Sequence, residues 1–157
     1  MPRAWRIVKA RRVHQAFSGE GARRFGGRWN SLGTPMVYTS DSLALAALEV
    51  LVHLESATTA LAFKAVPVEF DESLVDEIAE HDLPAAWASL AVPAQNQRFG
   101  DRWIVNGSRP VLRAPSAIIP SEWNFLLNPA HEDFKKLRIG DPTDFYLDPR
   151  LFGRNVP

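Results

Sequence analysis

Apolar residues fall along this chain mostly in short runs broken by proline and glycine, and one longer run stands apart. From Leu43 to Leu54 the sequence LALAALEVLVHL contains no glycine, proline or turn former. Ser40, Asp41 and Ser42 precede it as N-cap and first-turn residues. The pattern predicts a helix over 43–54 that is apolar on nearly every face, the mark of a buried helix. β-Branched and aromatic content predicts strands at Trp5–Val8 and Met36–Thr39. Leu61–Phe70 alternates as a strand, with Pro67 marking an edge or a bulge. Ser73–Glu80 reads as a short helix or turn. Leu83–Leu90, with Pro84 suited to a first turn, and Gln95–Trp103 read as further helical stretches. Ser108–Ile119 includes a strand, placed at Ser116–Ile119 next to prolines, Asn128–Phe134 reads as a turn, and Leu137–Ile139 with Thr143–Leu147 as closing strands. Phe17–Asn30, rich in Gly, Arg and Ser, reads as a loop, and Ser121–Leu127 has no clear preference. Short strands with few helices predict an α+β fold with mainly antiparallel pairing.

A length of 157 residues fits one domain, 1–157. Roughly two thirds of the unfolded surface is expected to be buried at this size, so no covalent staple is required. With no cysteine, disulfides and thiolate metal sites are excluded, and a reducing cytoplasm is the expected compartment. Lys+Arg and Asp+Glu number 18 each. That balance removes the basic excess that marks a nucleic-acid domain, so direct nucleic-acid binding is not expected. The local exceptions, Lys9 to Arg12 and Arg23 with Arg24, read as solvated surface. No apolar run approaches the roughly 20 residues that span a bilayer, so no membrane association is expected.

Glu49 is the anomaly in the predicted helix. An unpaired carboxylate is expensive to bury, so it must be paired, protonated or facing a cavity. His53 lies one helical turn on, which leaves two readings open: a Glu–His pair at the helix edge, or a carboxylate at a pocket wall. Arg28 follows Gly26 and Gly27. Glycines admit close backbone approach, and an arginine beside them can grip phosphate bidentately, although the same pattern describes a turn with a surface arginine. Tyr38 ends a strand just before the helix, a place for a core ring with its hydroxyl at an edge. Together the three suit a ligand with phosphates, a flat ring and a bond that breaks through a cationic sugar. Glu49 and His53 do not make a metal site between them, so no metal is expected.

Ordered short motifs extend these residues along the chain. They are Trp5-Arg6, Gly19-Glu20-Gly21-Ala22-Arg23, Gly26-Gly27-Arg28-Trp29-Asn30, Val37-Tyr38 and Ala47 to His53. Leu83-Pro84 with Trp87, Gly100-Asp101 with Trp103, Pro115-Ser116-Ala117, Asn128-Pro129-Ala130-His131 and Asp148-Pro149-Arg150-Leu151 continue the set. By this set the chain resembles the RES-domain family, bacterial toxins paired with Xre-type helix-turn-helix antitoxins. The resemblance implies an ADP-ribosyltransferase-like fold of two small antiparallel β-sheets with flanking helices around NAD+. It implies a growth-arresting toxin that cleaves the nicotinamide–ribose bond. Transfer of ADP-ribose to a protein, or to phosphate as an NAD+ phosphorylase, are the alternatives. A non-catalytic antitoxin-binding module is a further one. The family's arginine, tyrosine, glutamate and serine fall on Arg28, Tyr38, Glu49 and Ser116, with Asn128 as a weaker NAD+-binding candidate. The resemblance also implies a toxin homodimer within a toxin–antitoxin complex, with DNA binding left to the antitoxin. Ala114 and Phe125 depart from the family pattern but keep its apolar character.

Overall fold

Eight strands form one hydrogen-bonded sheet in a computed structural model that describes residues 1–54 and 62–152. They are β1 (Arg3–Lys9), β2 (Val37–Ser40), β3 (Phe63–Glu69), β4 (Val75–Glu77), β5 (Val111–Pro115), β6 (Trp123–Leu127), β7 (Arg138–Ile139) and β8 (Thr143–Phe145). The order is β4-β5-β6-β2-β1-β3-β7, with β8 also on β3. Pairing is antiparallel except between β4 and β5. The two small sheets expected from the resemblance are therefore two halves of one sheet. Their joint is narrow: β1 and β2 share the single register pair Trp5↔Ser40. β1 and β3, by contrast, pair along their whole length, from Arg3↔Glu69 to Lys9↔Phe63. Pro67 sits on β3 between the stretches that pair with β7 and β8. Lacking an N–H, it breaks the outer ladder where the partner strand changes.

Residues alternate faces along a strand. Val37, Phe125, Leu127 and Val111 pack into one buried cluster with Ala4, Val68 and Phe70. Leu126, Leu112 and Ala114 point the other way and pack with Trp29, Met36 and Trp103. Burial on both faces fits the mostly apolar sequences of β5 and β6, in which only Arg113 and Asn124 are strongly polar.

Among the described residues three α-helices accompany the sheet: α1 (Glu20–Phe25), α2 (Leu43–Leu51) and α3 (Ala94–Asn106). The Ser42 hydroxyl caps α2 by accepting from the Leu45 amide at 3.0 Å. α2 stops at Leu51, short of the expected 54, and packs on β1 and β2 through Leu45 and Ala46. It is not the buried helix that its composition predicts, because it lies on the sheet with one side outward, and Val52 beyond it is exposed. α1 forms inside the expected loop, between Gly19 and Gly26, both at positive φ. Those glycines hid a six-residue helix. The helix expected over Leu83–Leu90 is a series of turns. The carbonyls of Trp87 and Ser89 accept from the Arg28 side chain instead of from helix amides. The strand expected within Ser108–Ile119 is present as β5, but it precedes Ser116–Ile119 and ends at Pro115. Leu61, at the start of the expected strand 61–70, is outside the described residues.

Gly100 brings α3 against the loop that follows Gly27, since a Cβ there would stand 1.6 Å from the Trp29 carbonyl oxygen. Gly100→Ala is expected to lower stability by at least about 2 kcal/mol, as overpacking against rigid backbone does. Gly21→Ala, a helical site with nothing within 4 Å of the added carbon, is expected to leave stability unchanged or raise it. Urea denaturation of both variants checks this contrast.

Candidate active site

A cavity of about 700 Å3 opens beside the joint of the two half-sheets. Arg6 of β1, Tyr38 of β2, Glu49 of α2, Asn124 of β6 and Arg28 of the loop after Gly27 all line it. Its size falls in the range of small-ligand pockets, ~300–1,000 Å3.

Glu49 is half-buried on the wall, and two neutral donors hold it. The Ser116 hydroxyl donates to its Oε1 at 2.9 Å, and the Asn124 amide donates to the same oxygen at 2.7 Å. Each donor is itself fixed. Ser116 is fully buried, and its oxygen accepts from the amides of Ile118 and Ile119 at 3.1 and 3.2 Å. Its proton is thereby directed at Glu49. Asn124 accepts from the Ser40 hydroxyl at 2.8 Å, which sets its amide the right way round. Oε2 has no hydrogen-bond partner among the described residues. Glu49 faces a cavity that His53 also lines, and the exposed His53 forms no ion pair with it among the described residues, which favours the pocket-wall reading over the Glu–His pair.

Tyr38 contributes its ring to the wall, but its hydroxyl is committed elsewhere. It donates to Asn30 Oδ1 at 2.6 Å and accepts from the Trp29 amide at 3.0 Å. Burial pushes the phenol well above the ordinary tyrosine value, so it remains a donor at neutral pH. The fully buried Asn30 then donates to the Ala22 and Thr34 carbonyls at 2.8 and 2.9 Å. Tyr38 thus props the loop that presents Arg28. A Cβ on Gly27 would stand 2.6 Å from its hydroxyl, so that close approach requires glycine. Arg28 is half-buried. Its Nη1 donates to the Trp87 and Ser89 carbonyls, both at 2.9 Å, which aims the planar head. Nε and Nη2 have no protein partner among the described residues.

Arg6 and Asn124 also line the cavity, and neither was a site candidate in the sequence, although Arg6 stood in the Trp5-Arg6 motif. Arg6 donates from Nη1 to the Tyr38 carbonyl at 2.9 Å and from Nε to the Ala16 carbonyl. No carboxylate pairs with it among the described residues, and burial holds its guanidinium down at about 10. A shielded cation facing a cavity without a counter-ion is a ready anion site. The available signal for Asn124 was an asparagine inside the apolar run WNFLL, two residues from the buried Leu126. An amide on a buried strand face must have a partner.

The expected residues divide into two groups. Arg28, Tyr38 and Glu49 meet at the cavity, and Ser116 stands directly behind Glu49. Asn128 does not join them. Its side chain accepts from the Ala130 amide at 3.0 Å and reaches the Ile104 carbonyl at 3.4 Å, organising the turn after β6. No cluster of three or more metal-ligating side chains occurs among the described residues. Among them, too, no helix is long and apolar enough to cross a membrane.

Comparison with known proteins places the chain in a family. The RES domain matches residues 3–148. Toxin Res of Yersinia enterocolitica is 36% identical over 148 residues, covering 94% of this chain and 97% of that protein. The Prs ADP-ribosylating toxin of a Sphingobium species is 38% identical over 152 residues, covering 94% of each. The NAD(+) phosphorylase MbcT of Mycobacterium tuberculosis is 39% identical over 92 residues, 56% of this chain and 49% of that one. The crystal structure of the M. tuberculosis MbcT–MbcA toxin–antitoxin complex matches with a TM-score of 0.75 at 22% identity, over 96% of this chain and 86% of that chain. This chain belongs to the RES-domain family.

Proposed function

We propose that this chain is the toxin of a toxin–antitoxin pair and that it consumes NAD+ by breaking the bond between nicotinamide and ribose. The observation that carries this reading is a single carboxylate, Glu49, held by Ser116 and Asn124 at the wall of a cavity that also holds two arginines. The names of the relatives support it: one is an ADP-ribosylating toxin and another an NAD+ phosphorylase.

The chemistry asks for one acid. As the C–N bond of NAD+ breaks, its electron pair goes to the pyridinium ring and nicotinamide leaves neutral. No proton has to be supplied to the leaving group. The ribose carbon is left with oxocarbenium character, and charge developing there is what a site must stabilise. Glu49 lends negative charge and accepts from the ribose hydroxyls through Oε2. Paired carboxylates, as in most glycosidases, are not needed. Arg28 and Arg6 hold the diphosphate, and the Tyr38 ring walls the nicotinamide side. Ser116 acts through Glu49, because full burial keeps its hydroxyl from the ligand. Asn128 has no part in binding NAD+ in this reading.

The acceptor then attacks the ribose carbon. Water gives ADP-ribose and a proton, phosphate gives the 1-phosphate of ADP-ribose, and a protein nucleophile gives a modified side chain. We favour water as the first acceptor to test, a glycohydrolase; mass spectrometry of the products distinguishes all three. The partner in this reading is an antitoxin, of the Xre helix-turn-helix type, bound to a toxin dimer in the cytoplasm. The fold match to a chain from a toxin–antitoxin complex supports such a partner.

Glu49→Gln is expected to lose NAD+ consumption by at least ~100-fold while the circular dichroism spectrum is unchanged. Wild-type turnover in that variant removes Glu49 from the chemistry. Ser116→Ala is expected to lower kcat by about tenfold with a smaller change in KM, as loosening a reacting group does. Steady-state nicotinamide release measures both.

A further inference from the structure

The face that α3 turns toward the Arg28 loop has no assigned role, and its contacts are specific. Gln97 Nε2 donates to the Gly27 carbonyl at 3.0 Å, on the peptide just before Arg28. Asp101 Oδ1 accepts from the Ser31 amide at 3.0 Å, three residues after it. Asn96 Nδ2 donates to the Trp87 carbonyl at 2.8 Å, the same oxygen that takes Arg28 Nη1 at 2.9 Å. Positions 96, 97, 100 and 101 share one side of a helix, and Gly100 on that side lets the loop backbone touch α3. Arg28 is therefore bracketed before, after and at its head. Asn96 is fully buried, and its Oδ1 has no hydrogen-bond partner among the described residues. An unmatched buried acceptor costs stability, so this amide is kept for the bond that it donates.

We propose that Gln97 and Asn96 are positioning residues that aim the Arg28 guanidinium at the diphosphate of the ligand, acting through the Gly27 and Trp87 carbonyls. This rests on the NAD+ reading of the cavity. Gln97 fixes where the arginine leaves the backbone, and Asn96 fixes the carbonyl that turns its head. The consequence falls on binding of the diphosphate rather than on the ribose centre, because Glu49 is held by a separate set of donors. A residue that only stabilised the fold would weaken both functions alike.

The test is a double-mutant cycle read with ADP-ribose, which carries the diphosphate and needs no turnover. Gln97→Met keeps the length of the side chain and removes the donor. Calorimetry is expected to show about tenfold weaker ADP-ribose binding, with KM for NAD+ raised by a similar factor and kcat within about twofold of wild type. In an Arg28→Ala background the same substitution is expected to add no further loss, because the two residues act as one unit. Gln97→Glu, which cannot donate to a carbonyl, gives a second variant with the same expectation should the methionine form fold poorly. Unchanged ADP-ribose affinity in both single variants overturns the proposal. So do losses that multiply in the double variant, which would mean that Gln97 acts independently of Arg28. Failure of the wild-type protein to bind ADP-ribose sinks the NAD+ reading and the proposal with it, and is distinguishable from the other outcomes.

Discussion

The grip of Ser116 and Asn124 on the Glu49 carboxylate is the interaction on which the site depends. It joins α2 to the turn after β5, through Ser116, and to β6, through Asn124, across 67 and 75 residues of sequence. Hydrogen bonds to a charged group contribute more than neutral ones, each about 1.5–3 kcal/mol net. Both donors use one oxygen, so the other is left to the cavity. The donors are held in turn, Ser116 by two backbone amides and Asn124 by Ser40. Charge stabilisation is worth most when its source is already oriented before reaction.

The cavity stands beside a weak point of the sheet. β1 and β2 meet at one register pair, whereas the strands on either side of them pair at length. Side chains from both half-sheets reach the same space: Arg6 from one, Tyr38 and Asn124 from the other. The chain is neutral overall, yet two arginines and one carboxylate line its cavity, and in the proposed reading the arginines share the diphosphate while the carboxylate serves the ribose. A zero net charge excluded a long-range field for polyanions. It did not exclude a local site for a diphosphate.

Local features of the sequence were legible and distant pairings were not. Glu49 stood out because an acid within LALAALEVLVHL has to be reconciled with its apolar neighbours. Tyr38 and Arg28 stood out through strand and glycine signals that act over a few residues. The partners of Glu49 depend on β-sheet register, which no local pattern states. The same holds for the Tyr38 hydroxyl, which props the Arg28 loop instead of pointing at the cavity. Glycine content concealed α1 because Gly19 and Gly26 bound a helix there and do not interrupt one. The stretch 83–90 looked helical by composition, but a side chain 59 residues away takes the carbonyl of Trp87. Asn128 was carried over from a family motif, and a motif does not say whether a polar side chain faces the ligand or the turn that contains it.

The central claim is spatial: the free oxygen of Glu49 faces the ribose of NAD+ whose bond to nicotinamide breaks. A crystal structure of Glu49→Gln with intact NAD+ tests it most directly, since the substitution keeps the shape of the side chain and slows turnover. The prediction is a side-chain atom of residue 49 within about 2.7–3.2 Å of a hydroxyl on the nicotinamide ribose, with the diphosphate against Arg28 and Arg6. NAD+ bound outside this cavity, or seated in it with the adenosine end at residue 49, would contradict it.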